Sequence, residues 1–192
     1  MKHPALSVVV CTRNRSDLLD ACLAALTSQD RPPDGMEIVV VDNGSTDATP
    51  EVIARWATED ASLRPLVEPA PGLAGARNTG VRAARGGVVA FIDDDATARE
   101  RWATALLSEF DEHPDAVAVA GRVELCFAAG PPRWFAPRFV SWYSGLDLGA
   151  EPMDVAPGQW VVGANLAMRR DEIVRAGGFR DDLGRRAGTL IG

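Results

Sequence analysis

The stretch "VVAFIDDDA", residues 88–96, runs five core-type residues straight into three adjacent aspartates. A short, wholly apolar run is what a strand looks like when both its faces are buried, as in a parallel sheet with helices on either side. In open sheets of that kind ligands bind outside the carboxyl ends of the strands, which is where Asp93, Asp94 and Asp95 fall. Neighbouring carboxylates repel one another, and two readings follow. One is a hard divalent cation, Mn²⁺ or Mg²⁺, held by one or two carboxylates together with substrate phosphates. The other is a solvated turn leading into a helix capped by Thr97. If extended geometry persists past Ile92, Asp93 and Asp95 share one face and Asp94 takes the other.

The same unit recurs on either side. Residues 6–11 form a continuous apolar strand, followed by Ser16 as N-cap and by Leu18, Leu19, Cys22, Leu23 and Leu26 at helical spacing. Residues 36–41 form a second strand ending in Asp42-Asn43-Gly44-Ser45, and Thr49-Pro50 suit the start of a helix carrying Val52, Ile53 and Trp56. A strand over 64–68 leads through a proline- and glycine-rich turn into a helix over 73–85, stopped by Gly86-Gly87. Beyond the aspartates, Trp102, Leu106 and Phe110 share a helix face, and 116–125 reads as a further strand. Residues 126–159 turn to prolines, glycines and aromatics without periodicity, a long functional loop region. Residues 160–168 return to strand, with Trp160 in the core, and Asp171 starts a short helix ending at Gly177-Gly178. The alternation predicts an α/β fold with a mostly parallel, Rossmann-like sheet flanked by helices.

Composition narrows the function. With 192 residues, 46% hydrophobic and 24% charged, the chain suits one domain with a sizeable core. A net charge of −7 argues against a nucleic-acid partner, which needs a basic face, so any anion must be met locally. Cys11, Cys22 and Cys126 form no CxxC pair and suggest neither a zinc knuckle nor a disulfide framework, which fits a reducing cytoplasm. The longest apolar runs fall far short of the roughly 20 residues of a membrane span, and the expectation is that nothing spans a membrane.

The first turn, Cys11-Thr12-Arg13-Asn14-Arg15, lacks any glycine, so it is no GxGxxG dinucleotide turn, and GxxxxGK[ST] is missing as well. Three polar sets follow strand ends: Thr12, Arg13 and Asn14; Asp42, Asn43 and Ser45; and the three aspartates. Asp42 suits either an Asx turn or a carboxylate accepting from a nucleotide base. Arg77 is either a solvated helix arginine or a bidentate donor to a diphosphate, and Arg13 has the same two readings. Trp134, Phe135, Trp142 and Tyr143 read as an apolar platform for a sugar or lipid-linked acceptor, or as a satellite core under a loop. His3 and His113 read as surface or structural residues.

Four segments together carry a resemblance: "VVVCTRNRSDLLDACLAAL", "IVVVDNGSTD", "GLAGARNTGVRAARGGVVAFIDDDA" and "VVGANLAMRRDEIVRAGGF". Over nearly its whole length the chain resembles the family 2 glycosyltransferases of GT-A fold, with a DxD motif at Asp93–Asp95. The resemblance implies a nucleotide-sugar-binding half over 1–125 and a partial acceptor-binding half over 126–192. It implies that Thr12 and Asp42 contact the nucleotide base, with Arg13, Asn14, Asn43, Ser45 and Asp94 alongside. Asp93 would lie near ribose and metal, Asp95 would be the metal ligand, and Arg77 would help on the diphosphate. Asn165 joins Trp134, Trp142 and Tyr143 on the acceptor side. The implied reaction is transfer of a sugar, by resemblance from a UDP donor, to a hydroxyl of a saccharide or lipid-linked acceptor with inversion. Cell-surface polysaccharide or glycoconjugate synthesis is the setting, in the cytoplasm with peripheral association at the inner membrane face.

Two departures stand out. Cys11 and Arg13 occupy positions where the family often has proline and an aromatic. In the family the base commonly lies in an acidic pair shortly after Gly-Gly-Phe, whereas this chain reads "GGFRDDLGRRAGTLIG". The expectation is therefore a fragment that ends at Gly192 before its base, with Asp181 and Asp182 as weaker candidates. The alternative is a non-catalytic sugar-nucleotide-binding chain. A nucleotidyltransferase would open with a glycine-rich loop, and a glycoside hydrolase needs two carboxylates flanking the scissile bond; neither pattern is present.

Overall fold

The computed structural model describes residues 3–186 and 189–191. Strands β1 (Leu6–Thr12), β2 (Met36–Asp42), β3 (Leu63–Val67) and β4 (Val88–Asp93) are parallel, with helices α1 (Ser16–Thr27), α2 (Thr49–Glu59) and α3 (Leu73–Ala83) between them. After α4 (Trp102–Glu112) come β5 (Ala118–Ala120) and β6 (Asn165–Arg169); β6 pairs antiparallel with both β4 and β5. The sheet order is β3-β2-β1-β4-β6-β5. A 3₁₀ helix (Pro137–Tyr143), α5 (Arg170–Arg175) and a hairpin of β7 (Gly184–Arg186) and β8 (Thr189–Ile191) complete it.

Strand alternation divides the core into two layers. Val8, Val10, Ile38, Val40, Ala90 and Ile92 pack with Leu19, Leu23 and Leu26 of α1 and with Leu106 and Phe110 of α4. Val9, Val39, Val41, Val89 and Phe91 pack on the opposite face with Ala76 and Val81 of α3 and Ile173 of α5. Both faces are covered, so the middles of β1, β2 and β4 are apolar on both sides, and the polar Ser7 and Glu37 fall near the amino ends of β1 and β2. Close approach of α3 depends on Gly80: a Cβ there would stand 2.4 Å from Val9 Cγ1. Gly80→Ala should therefore push helix and strand apart and cost about 1–3 kcal/mol. Thermal unfolding checks this, and an unchanged midpoint would show that the layer yields freely.

Several boundaries differ from the sequence expectation. Neither Ser16 nor Thr49 caps with its own side chain. Both belong to the first turns of their helices, and Asp47 serves both, accepting from Ser16 N at 3.4 Å and Thr49 N at 3.0 Å. Thr97 caps nothing; α4 starts at Trp102, after Arg101. The strand over 116–125 shrinks to β5 plus a single bridge between Val123 and Leu146. The strand over 160–168 shrinks to β6, and Trp160 is 85% exposed rather than core. An apolar side chain next to glycine and proline has a hydrophobic signature but no neighbouring layer here to bury it. His3 and His113 are exposed. Gly192, where the sequence reading puts the end before the base, lies outside the described residues.

Candidate functional site

The carboxyl ends of β1, β2 and β4 gather the predicted residues, because parallel pairing sets Thr12 beside Asp42 and Cys11 beside Asp93. The first two loops are stapled to each other. Asn14, with φ of 54°, donates its backbone N–H to Ser45 Oγ at 3.0 Å, and its Oδ1 accepts from Thr46 N at 2.7 Å. Left-handed backbone is a conformation asparagine tolerates well. Asp42, buried, accepts from Ser45 N at 2.9 Å, three residues on, so its carboxylate closes the turn through Gly44 one residue later than an Asx turn would. Arg13 is exposed.

Two expected ligand contacts have internal tasks. Asn43 donates to Glu68 O and Ala70 O, each at 2.8 Å, and accepts from Gly72 N at 2.8 Å. That side chain shapes the loop into α3. Asn165 accepts from Trp102 Nε1 at 2.8 Å and donates to Arg122 O at 3.0 Å, tying β6 to α4. Both amides are thus engaged in holding the loops around the carboxyl edge of the sheet.

The aspartates depart from simple alternation. β4 ends at Asp93, and Ala96 N donates to Asp93 O at 3.0 Å, closing a turn. Asp93 stays on the α3 side, where Arg77 Nη2 lies 3.3 Å from its Oδ1. Asp94 and Asp95 both meet Arg15 on the α1 side, with Nη1 at 3.3 Å and 2.6 Å. The expectation that Asp93 and Asp95 share a face fails because the turn curls Asp95 back beside Asp94. Asp94 is buried, at 6% exposure.

Burial pushes the Asp93 carboxyl above the usual range, with Asp95 adding to the rise and Arg77 and Arg15 opposing it. Burial also raises Asp94, opposed by the Thr12 hydroxyl and Arg15 and assisted by Asp95 and Asp93. Thr12 Oγ1 stands close enough to favour the Asp94 anion, yet it is buried without a hydrogen bond of good geometry. Burial lifts Cys11 and Cys22 to about 12, so neither is a thiolate nucleophile near neutral pH.

Arg77 lies 5.8 Å from the Phe91 ring centroid and 5.5 Å from that of Phe179. Its neighbour Asn78 donates to Phe179 O and accepts from Phe179 N, both at 2.8 Å, fixing the segment after Gly178 against α3. Asp181 is 3.5 Å from Asn78 Nδ2, whereas Asp182 pairs with Arg180. Sequence reasoning missed the positioning roles of Asn78, Asp47 and Arg15. The two paired asparagine bonds span 101 positions of sequence, and no local pattern announces them.

The aromatics pack on one another rather than on the main core: Phe127–Phe135 centroids are 4.9 Å apart and Phe135–Tyr143 5.9 Å. Trp134, Trp142 and Tyr143 still expose 61%, 82% and 53% of their surface. No helix among the described residues is long and apolar enough to cross a membrane.

Comparison with known proteins finds glycosyltransferases. A glucosyl-dolichyl phosphate glucuronosyltransferase from Haloferax volcanii is 30% identical over 183 residues, covering 94% of this chain and 58% of the relative. A validoxylamine A glucosyltransferase from Streptomyces hygroscopicus subsp. limoneus is 27% identical over 94% of this chain and 45% of its own length. Among solved structures, the mannosyltransferase PcManGT from Pyrobaculum calidifontis, in complex with GDP-Man and Mn²⁺, superposes with a TM-score of 0.71 at 30% identity. It covers 95% of this chain and 49% of that one. S. aureus TarS 1-349 in complex with UDP shares the fold at a TM-score of 0.68 and 20% identity, over 94% and 51% respectively for the unliganded form and 93% and 51% with UDP. The chain thus spans about half the length of the relatives it matches. The model of "Glycosyl transferase family 2" matches residues 7–173, and the chain belongs to that family.

Proposed function

We propose that this chain carries the donor-binding half of an inverting glycosyltransferase. It would move a sugar from a nucleoside diphosphate, by preference UDP, to a hydroxyl of a saccharide or lipid-linked acceptor, in cytoplasmic cell-surface polysaccharide or glycoconjugate synthesis at a membrane face. The observation that carries this reading is the contrast between two polar clusters at opposite ends of the sheet. At the amino end, Glu37 accepts from Ser7 Oγ at 2.6 Å, Arg85 N at 2.7 Å and Arg64 Nη1 at 2.7 Å, and these hold its carboxyl below the usual range despite burial. At the carboxyl end, Asp93 and Asp94 are held above it. The first cluster matches one carboxylate to one guanidinium, whereas the second sets the three aspartates of the β4 turn against Arg77 and Arg15, and the net negative charge left over is what a cation-binding edge needs.

The donor set suits a hard cation. Asp95 offers carboxylate oxygens, the chemistry Mn²⁺ and Mg²⁺ take, with Asp93 at the other side of the turn as the second carboxylate of the pair, and the Mn²⁺ in the mannosyltransferase complex supports that choice. Bound there, a divalent ion would act as a Lewis acid toward charge developing on the leaving diphosphate. Arg77 supplies a guanidinium fork beside it, braced by two rings. The unpartnered Thr12 hydroxyl and the neighbouring Asp42 carboxylate would meet the base and ribose. Of the acidic pair, Asp181 lies beside α3 and is the better candidate to act near the acceptor, while Asp182 is committed to Arg180. The exposed rings of Trp134, Trp142 and Tyr143 would form the acceptor platform, with faces suited to a sugar or a polyprenyl chain.

Titration calorimetry with UDP and with GDP, each with and without Mn²⁺, tests the donor reading. Binding that requires Mn²⁺ is the expected result, and no binding of either nucleotide would end it. Tighter GDP binding would transfer the assignment to a guanosine donor, as in the mannosyltransferase. Arg77→Ala should weaken diphosphate binding about 100-fold, while Arg77→Lys recovers only part of this. Equal affinity in all three would leave Arg77 a structural residue. Binding without donor turnover or hydrolysis favours the non-catalytic reading.

A further inference from the structure

Three carboxylates at the carboxyl edge face two guanidiniums, and the sharing is uneven. Arg77 reaches Asp93 alone, from the α3 side. Arg15 crosses from the β1 loop to the β4 turn and offers one nitrogen, Nη1, to both Asp94 and Asp95. Its backbone is fixed on both sides: Arg15 N donates to Oγ1 of the buried Thr49 at 3.1 Å, and Arg15 O accepts from Leu19 N at 2.9 Å. The guanidinium therefore springs from a pinned base, and its 2.6 Å contact with Asp95 is the closest that carboxylate makes among the described residues. Asp95 is also the carboxylate assigned to the metal.

We propose that Arg15 is the resident counter-cation of the Asp94–Asp95 turn, a positioning residue that holds Asp95 until a divalent ion arriving with the donor diphosphate displaces it. Released, the guanidinium has the diphosphate as its natural partner. Metal alone must break the Arg15–Asp95 contact and then sit beside a displaced positive charge. Metal with diphosphate offers that charge a new home. The chain would thereby bind metal and nucleotide together and discriminate against metal alone. This rests on the reading of Asp95 as a metal ligand.

Two readouts test it, one without metal. In metal-free buffer, Arg15→Gln should lower the thermal midpoint, and adding Asp95→Asn to Arg15→Gln should restore part of the loss by removing the uncompensated carboxylate. A midpoint unmoved by Arg15→Gln, or a second loss on adding Asp95→Asn, overturns the counter-cation role. Binding of Mn²⁺ alone, followed by the paramagnetic resonance signal of the free ion, should be about tenfold tighter in Arg15→Gln than in the wild type. Arg15→Lys, which keeps the charge, should stay near the wild type. If the wild type binds Mn²⁺ and Arg15→Gln binds it no more tightly, the displacement role is overturned while the metal reading stands. If neither binds Mn²⁺ alone or with UDP or GDP, the metal reading of Asp95 falls and the displacement falls with it.

Discussion

Replacing Glu37 by Ala should lower stability by about 2–4 kcal/mol, below the full cost of breaking a buried ion pair because the Arg64 guanidinium left behind is partly exposed. The thermal midpoint should then fall by on the order of 10 °C. Glu37 is 5% exposed and Ser7 fully buried. Ser7 Oγ also accepts from Gly86 N at 2.9 Å, and Arg64 Nη1 also donates to Ala83 O at 2.9 Å. One carboxylate thus joins β1, β2, β3 and the end of α3. Without it, the Arg64 guanidinium and the Arg85 amide each lose an acceptor in a poorly hydrated place. The pH dependence has a definite sign. The folded carboxyl is held below its ordinary value, so its contribution is complete above about pH 4.3 and is lost as pH falls through the folded value. Denaturant melts of Glu37→Gln and wild type at several pH values should therefore converge in acid. Curves that stay parallel down to pH 3 would show that the charge contributes nothing.

Asp95→Asn should remove the dependence of nucleoside diphosphate binding on Mn²⁺, with affinity in saturating Mn²⁺ falling by about 100-fold. An amide brings an oxygen but no charge, and a hard cation takes charge first. Asp94→Asn should show a different profile. Asp94 is buried against Arg15 and the Thr12 hydroxyl, so its loss should appear mainly as a lower thermal midpoint with the Mn²⁺ dependence intact. An Asp95→Asn chain whose UDP affinity still rises with Mn²⁺ would strike Asp95 from the ligand set. Equal loss of metal dependence in both variants would assign the ion to the turn as a whole.

Much of this was legible in the residues. Val88 to Ile92 could be read as a doubly buried strand because each face of a parallel sheet meets a helix, which leaves no polar position to break the run. The carboxyl-end location of Thr12, Asp42 and Asp93 followed from the same periodicity, since a strand's last residues are also its ligand edge. The internal bonds of Asn43 and Asn165 were not legible in the sequence, for a common reason. An asparagine after a strand looks alike whether its amide faces a ligand or closes a loop, and only the positions of Glu68, Ala70, Gly72, Trp102 and Arg122 decide. Trp160 was misplaced because hydrophobicity states a preference for burial, while burial needs a neighbour.

By itself the sequence determined the alternation of strand and helix, the parallel core and the edge where its carboxylates collect, because these depend on period and on strand polarity, which are local. Tertiary structure alone decided how those carboxylates are shared. The turn from Asp93 to Ala96 curls Asp95 toward Asp94, and arginines from two separate crossovers reach them from opposite faces. Which guanidinium meets which carboxylate depends on distances between elements far apart in the chain, and Coulomb energy depends on those distances rather than on order in sequence.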